Sequence, residues 1–197
     1  MKAWTPIEID ALSEILNLGM GTAAAALSRM TGCEILLSVP SLEFTTRNSV
    51  TTKLKQSTET RLVAVREPFD GLISGDAFLL FPEHRSLEIV RAILKETTPE
   101  ETLTEVAREA LCEVGNIILN ACLATLCNML KESINTGLPD LAYWSDHSDN
   151  DLEGMFMRIH FQISSTGADG YMLIFMRADS LDVLRGKLGE FINGLGG

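Results

Sequence analysis

The chain has 197 residues and a formal net charge of −11 at pH 7, with 46% hydrophobic and 22% charged residues. This length and composition predict one compact domain, or two small fused halves, with a substantial hydrophobic core. An acidic surface repels phosphate backbones and anionic lipid headgroups, so we expect binding neither to nucleic acid nor to membranes.

The lack of a recognisable targeting signal and the spacing of the cysteines predict a cytoplasmic protein. The N-terminus has no basic region followed by an apolar run, and no apolar stretch reaches the roughly 18 residues of a membrane span. The cysteines form no C-x-x-C pair, so we expect buried free thiols in a reducing compartment. They are Cys33, Cys112, Cys122 and Cys127.

The first part of the chain is predicted to contain one long helix, three strands and a closing helix. The long helix covers 7–31, with Pro6 near its start, where a fixed φ is tolerated, and Gly32 after its end. The strands are predicted at 34–44, 61–66 and 72–81, and the closing helix at 83–96. The polar, Thr- and Ser-rich stretch 45–60 predicts a loop or a weak edge hairpin.

The second part repeats this order of elements. A long helix is predicted at 102–132, and Gly137 follows it. Met155–Ser164 alternates apolar and polar residues, as a half-buried strand does. The remaining elements are strands at 141–144 and 171–177 and a closing helix at 179–193.

A spaced motif occurs twice. Glu14 and Asn17 are followed, twenty-two residues after the Asn, by Pro40, and Glu113 and Asn116 are followed at the same spacing by Pro139. The sequences Phe78–Phe81 and Met172–Phe175 each precede a similar amphipathic segment. We therefore predict a single domain made of two related halves, 1–97 and 98–197.

Each long helix has a core face and a polar stripe. With about 100° per residue, Asp10, Glu14 and Asn17 share one side of the first helix, and Glu109, Glu113 and Asn116 share one side of the second. The predicted core faces hold Leu12, Ile15, Leu16, Gly19 and Ala23, and Leu111, Val114, Ile118 and Cys122. Small residues continue the stripes, so a partner surface could approach closely; they are Gly21, Ala25, Ser28, Ala124 and Cys127.

The usual catalytic motifs are absent from the sequence. It contains no Walker loop, no G-x-S-x-G and no H-E-x-x-H, and the histidines His84, His147 and His160 have no metal-ligand spacing. We expect His160 to be a packed or rim residue on a strand. The chain brings no evident nucleophile and no metal site, so an enzyme built on it must use groups of its substrate.

The two motifs resemble the CheC/CheX/FliY class of chemotaxis phosphatases, whose pattern is an Asp or Ser, three residues, Glu, two residues, Asn and a distant Pro. Asp10, Glu14, Asn17 and Pro40 match this pattern fully. In the second copy Glu113, Asn116 and Pro139 match, whereas Glu109 stands where Asp or Ser is usual. Two copies favour a two-site, CheC-like member over a CheX-like form. We expect the 197 residues to be too few for the extra flagellar switch domain of FliY-like proteins.

The resemblance implies an α/β (α+β) fold that is internally duplicated and pseudo-two-fold. A mainly antiparallel continuous sheet would carry the two long motif helices side by side on one face. It also implies a substrate, the phospho-aspartate of a CheY-like receiver, and often a CheD partner. The Mg²⁺ would come from the receiver, with no cofactor bound by this chain. We expect a monomer, because an internal duplication can replace a homodimer.

On this interpretation Asn17 and Asn116 orient the attacking water, and Glu14 and Glu113 anchor the receiver's lysine. Asp10, Glu109, Pro40 and Pro139 are supporting residues. Two other interpretations of the sequence stay open. One is a non-catalytic adaptor that binds a receiver or CheD. The other is a duplicated α/β domain that binds a small ligand in a pocket between its halves.

Overall fold

The computed structural model describes residues 3–57, 61–94, 104–144, 152–163 and 166–195. Within these residues seven strands form one sheet in which every pairing is antiparallel, and five helices accompany it. The predicted α/β fold with a mainly antiparallel continuous sheet is therefore confirmed. The junction between the halves near 97–99, and the ends of the predicted helices at 95–96 and 102–103, lie outside the described residues.

The elements follow the predicted order with two additions. The helices are α1 (Pro6–Thr31), α2 (Arg47–Ser57), α3 (Glu83–Leu94), α4 (Glu105–Met129) and α5 (Ala178–Leu195). The strands are β1 (Ile35–Thr46), β2 (Leu62–Gly71), β3 (Gly75–Pro82), β4 (Ile134–Thr136), β5 (Asp140–Tyr143), β6 (Glu153–Ile163) and β7 (Thr166–Met176).

The expected loop or hairpin at 45–60 was wrong. Its first two residues extend β1, and α2 follows from Arg47. Val50 and Leu54, four residues apart, are buried against the sheet, so a single apolar turn stabilises an otherwise polar helix. The polar composition concealed this spacing.

The strand order is β1-β6-β7-β3-β2-β4, with β5 also pairing with β2. β1 pairs with β6 from the second part of the chain, and β5 pairs with β2 from the first part. The edge strands of both ends are thus supplied by the opposite part of the sequence. Helices α1, α3, α4 and α5 share one core on one face of the sheet, and α2 covers part of the other face.

The long helices begin and end where local chemistry dictates. Thr5 caps α1 in a capping box with Glu8, Pro6 occupies the first turn, and Gly32 ends the helix in the left-handed region with φ 67°. Thr104 caps α4. This helix is long and apolar enough to cross a membrane by composition alone, but half of its most apolar window is buried in the protein, as in the core helix of a folded domain.

Helix α1 packs directly on α4. A Cβ on Gly19 would lie 2.8 Å from the Cα of Cys122, so the glycine permits the close crossing of the two backbones. The nine core-face residues predicted on the two helices are all buried. The stripe prediction was wrong at Cys127, which is buried. The four cysteines are free, but Cys33 and Cys112 are only half-buried.

Candidate functional site

The predicted acids of both stripes are exposed. Asp10 and Glu14 lie on the solvent side of α1, and Glu109 and Glu113 lie on that of α4. Each Glu stands one helical turn before a half-buried Asn, because residues three apart share a helix face. The structure therefore places an open carboxylate beside a partly covered amide on each helix.

The Asn17 amide is held by the backbone on both sides. Its Oδ1 accepts a hydrogen bond from the Val39 N–H at 2.9 Å, and its Nδ2 donates to the Ser13 carbonyl at 3.0 Å. These bonds fix the side chain at the surface of α1 and leave one N–H and one oxygen lone pair for another partner.

The motif proline explains the long spacing to Asn17. Ser38 pairs with His160 and Ser41 with Arg158, so Val39 and Pro40 stand opposite the single residue Ile159. This two-against-one arrangement is a β-bulge, a position where proline is tolerated. The bulge directs the Val39 N–H to Asn17, and Pro40 itself is exposed.

Around Pro139 the second edge strand is broken rather than bulged. β4 and β5 both pair with β2, and residues 137–139 separate them opposite Glu67 and Pro68. The Gly137 N–H donates to the Pro68 carbonyl at 2.8 Å. Leu138, which has the motif position of the buried Val39, is 90% exposed. Among the described residues, Asn116 therefore has no backbone partner that corresponds to Val39 at the first site.

Asn116 is held instead by side chains. The Nδ2 of Asn120 donates to the Asn116 Oδ1 at 2.7 Å, and the Thr136 hydroxyl donates to the Asn120 Oδ1 at 2.9 Å. Counted by the motif spacing, the residue of α1 that corresponds to Asn120 is Gly21, which has no side chain. The two sites therefore present the same Glu and Asn but support the amide differently.

A buried carboxyl group, Glu67, lies beneath the second site. It is 0% exposed, it stands on β2 between the inward-facing Val65 and Phe69, and neither carboxylate oxygen has a hydrogen-bond partner within bonding geometry. Burial raises the pKa of Glu67 to about 7, and the nearby Thr136 hydroxyl and Asn120 amide oppose this rise in part. The corresponding position beside the first site is held by the buried Ile159.

Sequence reasoning missed Glu67, Asn120 and Thr136. A signal for Glu67 was present, because it interrupts the alternation of Val63, Val65 and Phe69 with an acid at an inward position. Asn120 stands four residues after Asn116, on the same helix face. Thr136 lies on the three-residue β4, which was not predicted.

Two smaller expectations concern the remaining candidates. Ser28, predicted as part of an open stripe, is half-buried, and its hydroxyl accepts a hydrogen bond from the Ile35 N–H at 3.0 Å. His160 is an exposed strand residue whose Nδ1 lies 2.9 Å from Asp169 Oδ1, and His147 lies outside the described residues. Among the described residues, no group of three or more His, Cys, Asp and Glu side chains could hold a metal ion.

Residues 7–43 match the model of the CheC-like family, a segment that contains Asp10, Glu14, Asn17 and Pro40. The fold is similar to that of FliY from Thermotoga maritima, with a TM-score of 0.79, 21% identity and coverage of 96% of this chain and 100% of that one. CheX from Vibrio vulnificus aligns with a TM-score of 0.57 and 16% identity over 83% of this chain and 99% of its own.

A third neighbour is the FliM middle domain from Helicobacter pylori, with a TM-score of 0.69, 8% identity and coverage of 93% of this chain and 99% of that one. At these identities the likeness is one of fold. The family match covers the first motif, and the neighbours show that the whole chain has the fold shared by FliY, CheX and the FliM middle domain.

The support of the two amides predicts different stability costs on their removal. Asn17→Ala leaves the Val39 N–H without its acceptor, so we expect a loss of about 1–3 kcal/mol of unfolding free energy. Asn116→Ala removes one bond between side chains, and we expect a loss of about 0.5–1.5 kcal/mol. Urea denaturation measures both, with the exposed Asn128→Ala on α4 as control. Equal losses for Asn17→Ala and Asn128→Ala would contradict the bulge contact.

Proposed function

We propose that this protein accelerates hydrolysis of the phospho-aspartate on a chemotaxis receiver domain of the CheY type, with one site on α1 and one on α4. The observation that carries the proposal is the repeated pairing of an exposed Glu with an anchored, partly open Asn one turn further along the helix. The fold alone does not decide the activity, because the FliM middle domain has the same fold.

The chemistry suits a neutral amide. An acyl phosphate is reactive, so catalysis needs mainly an in-line water and compensation of charge. The free N–H and lone pair of Asn17 can donate to and accept from one water, which fixes its orientation without adding charge. A carboxylate at this position would repel the phosphoryl oxygens. Asn116 would act in the same way at the second site.

The carboxylates have a different task in this proposal. Glu14 and Glu113 are exposed and would pair with a lysine beside the receiver's phospho-aspartate. Asp10 and Glu109, one turn earlier, would support that contact, while Pro40 and Pro139 shape the edge strands beside the amides. The Mg²⁺ would be carried by the receiver. The protein would work in the cytoplasm as a monomer, and CheD is a further candidate partner.

The adaptor function remains the alternative, and turnover distinguishes the two. The phosphate lifetime of a purified receiver is measured with this protein at one tenth of the receiver concentration. A catalyst releases phosphate from the whole receiver pool, whereas an adaptor changes at most the fraction that it binds. A lifetime that changes only in proportion to the fraction of receiver bound would favour the adaptor.

Charge reversal tests the anchoring role. We expect Glu14→Lys together with Glu113→Lys to weaken receiver binding about tenfold or more, because each substitution places a cation opposite the receiver's lysine. Isothermal titration with a stably activated receiver measures the affinity. Asp182→Lys together with Glu34→Lys, at two exposed acids outside both stripes, is the control matched for net charge. An affinity equal to that of the control would remove the anchoring role.

A further inference from the structure

We propose that Glu67 is a proton-sensitive positioning residue for Asn116, which makes the second site respond to pH while the first site does not. The inference rests on the proposed function for its activity readout. Its basis is the hydrogen-bonded series Thr136, Asn120 and Asn116, together with the buried carboxyl of Glu67, which lies near Thr136 and Asn120 without a hydrogen bond of its own.

The chain of groups has a limited number of donors. Thr136 offers one hydroxyl hydrogen, which it gives to Asn120 Oδ1, and Asn120 gives one amide hydrogen to Asn116 Oδ1. A neutral Glu67 carries no charge that requires hydrogen-bond donors. The bonds from Thr136 to Asn120 and from Asn120 to Asn116 therefore stay in place. An ionised Glu67, enclosed and without a hydrogen bond to the other described residues, competes with Asn120 Oδ1 for the single Thr136 hydroxyl hydrogen and attracts the second amide hydrogen of Asn120. Asn120 then turns toward Glu67, and its bond to Asn116 Oδ1 is weakened.

The surroundings of Glu67 contain few other groups that titrate. Its strand neighbour across β3 is Ala77, and Arg66 and Asp140 form the next register pair, whose side chains alternate to the other face of the sheet. On α4, Glu113 is exposed on the solvent side. Burial, rather than a neighbouring charge, raises the pKa of Glu67 to about 7. The proton equilibrium therefore falls within the physiological range.

The first site supplies the internal control. Ile159 stands where Glu67 stands at the second site, and Asn17 is bonded to backbone groups that do not titrate. A pH effect on the receiver itself is common to both sites. The ratio of their activities therefore isolates the effect of Glu67.

The experiment compares Asn17→Ala, which retains the second site, with Asn116→Ala, which retains the first. We expect the ratio of second-site to first-site phosphate release to fall about fivefold between pH 6 and 8.5. Adding Glu67→Gln to Asn17→Ala should flatten this ratio, because glutamine stays neutral. A ratio independent of pH, or one that still falls after Glu67→Gln, would overturn the inference.

A readout without the receiver separates this inference from the proposed function. In ¹⁵N-labelled wild-type protein, the side-chain amide signals of Asn116 and Asn120 should shift with a midpoint near pH 7. Those of Asn17 should not, and Glu67→Gln should abolish the shift. If the Asn116 and Asn120 signals titrate but the protein has no phosphatase activity, the proposed function is wrong and the coupling between Glu67 and Asn116 stands. If these signals do not shift with pH, the coupling itself is wrong.

Discussion

Replacing both Asn17 and Asn116 with alanine is expected to reduce the acceleration of receiver dephosphorylation about 100-fold, while either single substitution leaves one working site. The reason is geometric. Loss of the amide leaves the attacking water without a fixed orientation, and misplacement of a reacting group by about 1 Å can cost this much in rate. Phosphate release under excess receiver measures the effect.

The double variant needs a control for stability, because Asn17 also holds the bulge of β1 through the Val39 N–H. Asn17→Asp with Asn116→Asp keeps an oxygen acceptor at each position and adds a charge that repels the phosphoryl group. We expect this pair to be as inactive as the alanine pair and to retain more of the bulge contact. Asn128→Ala should keep full activity. A double alanine variant with wild-type rates would remove both amides from the mechanism.

Periodicity predicted the elements whose pattern is long. The apolar faces of α1 and α4 are repeated over seven turns, so a helical period is unambiguous, and β6 alternates over the nine residues 155–163. α2 depends on Val50 and Leu54 alone, too few positions to define a period. β4 has only three residues, and its place is set by pairing with β2, a contact between distant segments that a local pattern does not contain.

The residues of the candidate site also differ in how far the sequence could predict them. Helix geometry placed Glu14 beside Asn17, and Glu113 beside Asn116, because both pairs lie on single helices. The groups that hold the amides come from elsewhere in the chain. Val39 reaches Asn17 only because β1 bulges, and Thr136 reaches Asn120 only because β4 pairs with β2. Such contacts depend on tertiary structure and were not predictable from spacing.

The two sites are therefore alike in sequence and different in support. A symmetric motif predicted equivalent sites, with Glu109 in place of Asp10 as their main difference. The larger difference lies beneath the helices, where Ile159 and Gly21 at the first site correspond to Glu67 and Asn120 at the second. Activity measured on the whole protein would combine a site supported by backbone with one supported by ionisable and polar side chains.

Glu67→Gln is expected to stabilise the protein at pH 8 by up to about 3 kcal/mol and to have little effect at pH 5. In the folded protein burial raises the pKa of Glu67 from its ordinary value of 4.5 to about 7. Between these two values the folded state binds more protons than the unfolded state, so wild-type stability falls as the pH rises through this window. Above pH 7 the full cost of the buried charge is present.

Urea denaturation of both proteins at pH 5, 6, 7 and 8 measures this effect as a difference, in which all other titrating groups cancel. Glutamine has nearly the shape of a protonated glutamate and stays neutral, so the two curves should meet at low pH and separate as the wild type ionises. A constant difference across the range would mean that Glu67 has the same pKa in the folded and the unfolded protein. The pH response proposed for the second site would then lose its physical basis, while the assignment of Asn116 to the reacting water would stand.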